Sequence, residues 1–354
     1  MIEVSDSILL DSRSVKYIVG ELQLYSLKDS SRDAVGDAFE IFIGPSLKGA
    51  QGQFFTPRNV VNMVIRMIDP GIDERILDPA CGSGGFLVES LRYVWNKLEE
   101  KAADLGWPES EIEAEKQRIA IKNLRGIDKD SFLSKVAKAY LAILGDGRGG
   151  IHCENSLESF RNWSAKTFED IQPESFDVIV TNPPFGKKLS IDSTEILELY
   201  DLGHRWNSVP GGVFEKGALA DKQPPQLLFI ERCFQMLRPG GRMGIVLLES
   251  IFGMPKYQYV VNYIRLQAKI NAIVTLPEDL FQPHTHAKCC VLICQKYKKN
   301  ESYSSCDNYD IFMSDVKWCG HDSRGNITYS YTSTGEKVVL DEIPLVADRY
   351  LEMR

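Results

Sequence analysis

The sequence predicts an α/β fold: a mostly parallel sheet with helices on both faces. Two observations carry that expectation. After residue 50, short apolar runs of strand length alternate with longer stretches of helical period. Gly- and Pro-containing turns punctuate the change from one to the other, as at Pro239-Gly240-Gly241. The strand-like runs fall at Arg75–Leu77, Arg125–Ile127, Ile151–Cys153, Phe176–Thr181, Arg242–Leu248, Ala272–Leu276 and Cys289–Gln295. Helical patterns occupy Val60–Ile68, Phe86–Glu99, Phe132–Leu144, Gln226–Leu237 and Gln258–Ala268. Strand, helix and strand in succession give a parallel sheet.

The first 50 residues read as helical, with Val35, Phe39, Phe42 and Ile43 on one face, and are expected to form a cap. Two insertions interrupt the sheet: Lys97–Lys122 is charged and helical, and Lys187–Pro225 is loop-like. The expected division is a helical N-terminal cap at 1–50, a catalytic domain at 51–312 and a C-terminal extension at 313–354.

With 44% hydrophobic and 10% aromatic residues, the 354-residue chain can bury a sizeable core. Its N-terminus lacks a basic stretch followed by an apolar run, and its longest apolar runs are too short to span a bilayer. A soluble, cytoplasmic protein with no membrane partner is expected. A net charge of −8 argues against unaided coating of DNA, because duplex affinity comes largely from neutralised phosphates. Residues 256–299 nevertheless hold seven Lys or Arg against Glu278 and Asp279, which suits a solvated face and a nucleic-acid surface equally.

The eight cysteines include no CxxC pair and read as reduced core thiols. His284, His286, Cys289 and Cys290 raise the question of a metal. The two adjacent cysteines would point to opposite faces of a strand, so no metal site is expected.

Three segments carry chemistry. Ile76-Leu77-Asp78-Pro79-Ala80-Cys81-Gly82-Ser83-Gly84-Gly85-Phe86 closes one strand and opens a helix. Its glycines permit a tight turn and close approach to a ligand, and the helix start offers free N–H groups. Asp78 at that edge suits a cationic group better than a pyrophosphate. Gly126-Ile127-Asp128 ends the next strand, where an acid takes ribose hydroxyls in nucleoside-binding sheets. Thr181-Asn182-Pro183-Pro184-Phe185 follows the fourth strand. A planar aromatic amine has two N–H donors and a poorly nucleophilic lone pair. The Asn182 side-chain oxygen and the Pro183 carbonyl can each accept one of those hydrogens, pushing the nitrogen towards tetrahedral geometry. The two prolines stiffen the loop, and Phe185 offers a ring for stacking.

Asn-Pro-Pro-Phe after the fourth strand, with Asp-Pro-Ala-Cys-Gly-Ser-Gly-Gly-Phe in the first turn, resembles the amino-methyltransferase group of DNA methylases. Gly52-Gln53-Phe54-Phe55-Thr56-Pro57 resembles that group's N-terminal cofactor motif. The nearest likeness is the modification subunit of type I restriction–modification enzymes. It runs from about Gly36 onward and includes Leu276-Pro277-Glu278-Asp279-Leu280-Phe281 and the tail Gly320–Asn326. The resemblance implies a Rossmann-like class I S-adenosylmethionine-dependent methyltransferase sheet of seven strands, mostly parallel with one antiparallel. It implies transfer of a methyl group from S-adenosylmethionine to the N6 amino group of adenine in double-stranded DNA. It further implies a specificity subunit and a restriction subunit as partners.

Residue by residue, it implies that Phe55 and Thr56 contact the methionine end of the cofactor. Asp78, Ala80, Gly82 and Gly84 hold its amino-acid portion, and Asp128 the ribose. Asn182, Pro183, Pro184 and Phe185 hold the adenine, with Phe281 packing on the flipped base. Asn155, in Glu154-Asn155-Ser156-Leu157, stands where the family commonly has an acid and is counted with the cofactor-binding residues. The family's subunits also carry a larger helical N-terminal domain than the 50 residues expected here. Methylases of ribosomal RNA guanine and of protein glutamine share Asn-Pro-Pro-aromatic. A non-catalytic cofactor-binding scaffold and a nicotinamide oxidoreductase are the readings from other classes.

Overall fold

The structure is a computed structural model that describes residues 10–23, 56–144, 150–186, 189–282, 285–303, 309–332 and 334–354. The helices are α1 (Ser12–Leu22), α2 (Arg58–Ile68), α3 (Gly85–Leu105), α4 (Glu109–Asn123), α5 (Ser131–Leu144), α6 (Pro225–Met236), α7 (Gln258–Gln267) and α8 (Ile343–Met353). Shorter helical turns fill several connections. The strands are β1 (Ile76–Asp78), β2 (Leu124–Asp128), β3 (Ile151–Cys153), β4 (Phe176–Thr181), β5 (His204–Val209), β6 (Val213–Leu219) and β7 (Leu237–Leu248). They continue with β8 (Ala268–Thr275), β9 (Cys289–Lys296), β10 (Phe312–Asp315), β11 (Tyr329–Tyr331) and β12 (Lys337–Val339).

One eight-stranded sheet forms the centre, in the order β10-β8-β9-β7-β4-β1-β2-β3. Strand β9 runs antiparallel to both β7 and β8, and every other pairing is parallel. All seven expected strands are present, and the antiparallel one is β9. The eighth, β10, adds at the edge beside β8 and buries only Phe312, too short a signal to read from periodicity.

Pleating divides the core between the two faces. Val178 and Val180 of β4 enter one cluster with Val60, Val64 and Ile68 of α2 and Leu87 and Leu91 of α3. Phe176 and Ile179 enter the other with Leu227 and Ile230 of α6 and Val260 and Ile264 of α7. Each such fully buried aliphatic side chain contributes about 1.5–3 kcal/mol. Cys289 and Cys290 go to opposite clusters, as their adjacency on a strand requires. Arg242 of β7 fastens the sheet to the approach to β1. Its Nη1 and Nη2 donate to Glu74 Oε1 and Oε2 at 2.9 and 2.6 Å, and its Nε donates to the Ile68 carbonyl at 2.9 Å.

The charged insertion is helical as expected, made of the end of α3 and the whole of α4. Helix α3 runs on to Leu105 and stops at Gly106, whose φ of 69° is left-handed, and α4 begins after Pro108. The insertion expected as a loop contains an ordered hairpin, β5–β6, turning at Gly211 and Gly212. Trp206 stacks on Tyr259 at 6.0 Å between centroids, and Gln223 Nε2 donates to the Leu202 carbonyl at 2.9 Å. Both strands leave most side chains half-buried or exposed, so the apolar alternation that marks a strand is absent.

Helix α1 is capped by Asp11, whose carboxylate accepts from Arg13 and Ser14 N–H at 2.9 and 3.0 Å. The expected apolar face of Val35, Phe39, Phe42 and Ile43 lies outside the described residues. Beyond β10 the chain forms the β11–β12 ribbon and ends in α8, which packs on α2. Among the described residues, no helix is long and apolar enough to cross a membrane.

Candidate active site

From β1 the chain crosses to β2 and β3 on one side, then returns to β4 on the other. The strand order therefore reverses between β1 and β4, and a crevice forms outside the carboxyl ends of a parallel sheet at such a point. Every expected chemical motif hangs from this edge. Leu77 pairs with Ile179, so Asp78 leaves β1 level with Val180, and Asn182 begins one residue past the end of β4. On the other flank Asp78 pairs with Gly126, and Asp128 with Cys153.

The turn after Asp78 is held by its own carboxylate, whose Oδ1 accepts from Ala80 N–H at 3.0 Å. Gly82 and Gly84 have φ of 53° and 91°, conformations that L side chains rarely adopt. A Cβ at Gly84 would stand 3.3 Å from Ala137 Cβ, so this glycine also serves helix packing. At Gly82 a Cβ would meet nothing within 4 Å, leaving open space over the turn. Gly84 caps α3, which starts at Gly85 with its first N–H groups directed at the same edge. Asp128 Oδ2 accepts from Gly82 N–H at 2.9 Å, and Oδ1 from Asp130 N–H at 2.9 Å. Each carboxylate oxygen keeps further lone-pair capacity for a hydroxyl.

Burial sets the electrostatics. Asp78 is 1% exposed, and desolvation pushes its carboxyl up to about 7, the charge of Asp128 acting in the same sense. Burial raises Asp128 as well. Two buried carboxyls whose ionisation is disfavoured fit a ligand that brings a positive charge and ribose hydroxyls, as the sulfonium nucleoside expected from the sequence does.

Asn155 lies on the loop after β3 with its side chain engaged locally. Its Oδ1 accepts from Leu157 N–H at 3.1 Å and its Nδ2 donates to Glu158 at 3.2 Å. The same loop is tied to the glycine turn by Ser156, whose hydroxyl donates to the Pro79 carbonyl. Sequence reasoning passed over Ser156, and also over Arg232 of α6. Arg232 is 2% exposed; its Nε donates to Tyr200 Oη and its Nη2 to the Glu158 carbonyl, both at 2.8 Å. Tyr200 Oη in turn donates to the Leu157 carbonyl at 2.8 Å. An arginine inside an apolar helix pattern was the available signal, since a buried guanidinium must find acceptors.

On the β4 side, Asn182 Nδ2 donates to Thr56 Oγ1 at 2.9 Å. Its Oδ1 is buried and accepts from no partner among the described residues. Pro183 is buried and Pro184 half-buried. Phe185 and Phe281, 2% and 4% exposed, meet edge to face at 5.8 Å between centroids. The two aromatics assigned to the base are thus brought together across 96 residues of sequence, on the Asn182 side of the crevice. Phe55 lies outside the described residues, as does Pro283.

The description of the family whose profile matches residues 30–326 reads N-6 DNA Methylase. The chain belongs to this family. Among its relatives, the type I restriction enzyme EcoEI methylase subunit of Escherichia coli is 24% identical over 352 residues. That match takes in 93% of this chain and 63% of the relative. The chain thus spans less than two-thirds of the length of the first relatives it matches. Among solved structures, a type I restriction–modification methyltransferase subunit from Streptococcus thermophilus superposes with a TM-score of 0.64 at 18% identity. It covers 97% of this chain and 62% of that one. A putative class I S-adenosylmethionine-dependent methyltransferase from Listeria monocytogenes gives 0.59 at 19% identity, covering 87% and 80%. These likenesses establish the class I methyltransferase fold for this chain.

Proposed function

We propose that the chain transfers a methyl group from S-adenosylmethionine to the N6 amino group of adenine in double-stranded DNA. It would do so as the modification subunit of a type I restriction–modification system, working in the cytoplasm with a specificity subunit and a restriction subunit. The observation that carries this reading is Asn182 Oδ1, a buried acceptor without a donor among the described residues, at the mouth of β4 and one strand from the glycine turn. A buried unsatisfied oxygen costs about 1–3 kcal/mol, so a donor is the natural occupant.

In this reading Asp78, Ala80, Gly82 and Gly84 bind the amino-acid end of the cofactor, Phe55 and Thr56 border it, and Asp128 takes the ribose. Asn155 orders the loop beside them. When bound, the cofactor would supply a methyl group on a sulfonium, whose carbon–sulfur bond breaks to leave a neutral thioether as the amine nitrogen bonds to the carbon and sheds one proton to solvent. Asn182 Oδ1 and the Pro183 carbonyl accept the two N–H bonds of the amine and free its lone pair along that line. Pro184 stiffens the loop. Phe185 and Phe281 enclose the base and exclude water, which requires their edge-to-face pair to open as the base enters. Fixing the amine beside its methyl donor is the largest contribution to rate, and no covalent enzyme intermediate is needed. An adenine inside a duplex is out of reach, so it must be flipped out at a cost of a few kcal/mol. The division into 1–50, 51–312 and 313–354 goes with this reading, the middle part holding all the residues just named.

The test is to co-purify the chain with the product of a neighbouring specificity gene. Tritiated methyl transfer is then measured to DNA, ribosomal RNA and release factor, and the methylated bases are mapped. Label in adenine N6 of DNA is expected, with little transfer to plain duplex by the chain alone. Asn182→Ala should lower transfer by on the order of a thousand-fold while S-adenosylhomocysteine still binds. Label only in RNA or protein, or full activity in that variant, overturns the assignment.

A further inference from the structure

An asparagine amide has two orientations related by a half-turn of nearly equal shape, and only one presents oxygen to an amine. What selects between them is therefore part of the chemistry. In this chain Asn182 Nδ2 donates to Thr56 Oγ1 at 2.9 Å, across 126 residues of sequence. Thr56 sits just ahead of α2, before Pro57, the residue that caps this helix. Most of the side chains of α2 are buried against the sheet, so the hydroxyl is presented from a fixed base. With the nitrogen end anchored there, Oδ1 faces the other way, buried and without a donor among the described residues. The reverse orientation would leave two buried N–H donors unsatisfied in place of one oxygen, which is the costlier arrangement.

We propose that Thr56 is a positioning residue. By accepting the hydrogen bond from Asn182 Nδ2 it fixes the amide with its oxygen towards the base, and so helps the pocket choose a 6-amino purine over a 6-oxo purine. This deepens the adenine reading and rests on it, but it differs from the cofactor contact that the sequence resemblance gives to Thr56. A 6-oxo purine offers O6, an acceptor, which would face Asn182 Oδ1 with no hydrogen between them. Freed to turn, the amide would present NH2 instead and accommodate it.

Two measurements on the full chain decide the matter. The first needs no substrate. In protein labelled with 15N-asparagine, the Asn182 side-chain resonances are assigned by their loss in Asn182→Ala. They should show slow hydrogen exchange in the wild type and in Thr56→Ser, and fast exchange in Thr56→Val. Should T56V not fold, slow exchange in the wild type and in T56S with fast exchange in Thr56→Ala supports the anchor. Fast exchange in the wild type overturns it.

The second uses the specificity-subunit complex and a duplex of the mapped site, with adenine or hypoxanthine at the target position. Thr56→Val should lower kcat for adenine on the order of ten- to hundred-fold. S-adenosylhomocysteine affinity should stay within about two-fold, and the preference for adenine over hypoxanthine in binding should fall by about ten-fold. Thr56→Ser should restore most of kcat. A variant that loses cofactor affinity with kcat and base preference unchanged shows that Thr56 serves the cofactor alone, and the proposal falls. If the wild type methylates no adenine, the adenine reading fails, while the exchange measurement still reports on the anchor.

Discussion

Replacing Asp78 by Asn probes the charge balance at the cofactor edge. Burial pushes this carboxyl up to about 7 from an ordinary value of 3.8. Between those two values the folded chain holds a proton that the unfolded chain has released. The group therefore favours the fold at low pH, and that contribution is lost as pH rises through about 7. A displacement of three units is worth on the order of 4 kcal/mol against the ligand-free chain at pH 8. A cationic ligand beside Asp78 reverses the sign, because the ionised carboxylate is then the favoured form. If only that form attracts the ammonium, affinity should rise about ten-fold between pH 6 and pH 8, with close to one proton released per ligand bound at pH 6. Calorimetric titration of S-adenosylhomocysteine in buffers of contrasting ionisation enthalpy reads both quantities, and a thermal melt at each pH reads the stability. Asp78→Asn should melt higher than the wild type at pH 8 and bind weakly with little pH dependence. A wild-type affinity that stays flat over this range, or a slope that survives in the variant, would refute the account.

Gly126→Ala places a Cβ 2.6 Å from Ile151 Cδ1 and 2.7 Å from Leu87 Cδ1, beneath the glycine turn. Overpacking of this kind costs about 1–3 kcal/mol, to be seen as a lower denaturation midpoint with an unchanged slope. Arg232→Met removes the donors that reach Tyr200 and the Glu158 carbonyl. A loss of about 2–4 kcal/mol in urea unfolding is expected, together with weaker cofactor binding as the Asn155 loop loosens. Gly84→Ala combines a left-handed φ of 91° with a 3.3 Å approach to Ala137. It should lower cofactor affinity in the same calorimetric assay and cost about 1–2 kcal/mol of stability.

The central sheet was legible because each strand is a short apolar run closed by a breaker, and because the core is buried on both faces. Phe176–Thr181 is continuous in burial except at Asp177, and no helical period fits it. The glycine turn and Asn-Pro-Pro-Phe were legible for a different reason: few other roles require those residue types in that order. What escaped was structure stabilised from outside its own segment. The β5–β6 hairpin depends on Trp206 meeting Tyr259 and on Gln223 closing its base, contacts that no local pattern announces. The partner of Asn182 was equally hidden, since periodicity carries no information about which hydroxyl will arrive from 126 residues away. Asn155 shows the converse. Its sequence position pointed to a ligand contact, whereas an Asx turn in its own loop takes up its side-chain oxygen.

The glycine turn and the Asn-Pro-Pro-Phe loop hang from neighbouring strands of one hydrogen-bonded sheet. Such strands are spaced about 4.8 Å apart by their ladder, with buried side chains wedged on both faces. Donor and acceptor platforms on this scaffold have almost no freedom to slide towards each other. In the proposed reaction the travel needed to bring the reactants together would fall on the nucleic acid, and the duplex, softer than the sheet, would be the component that deforms.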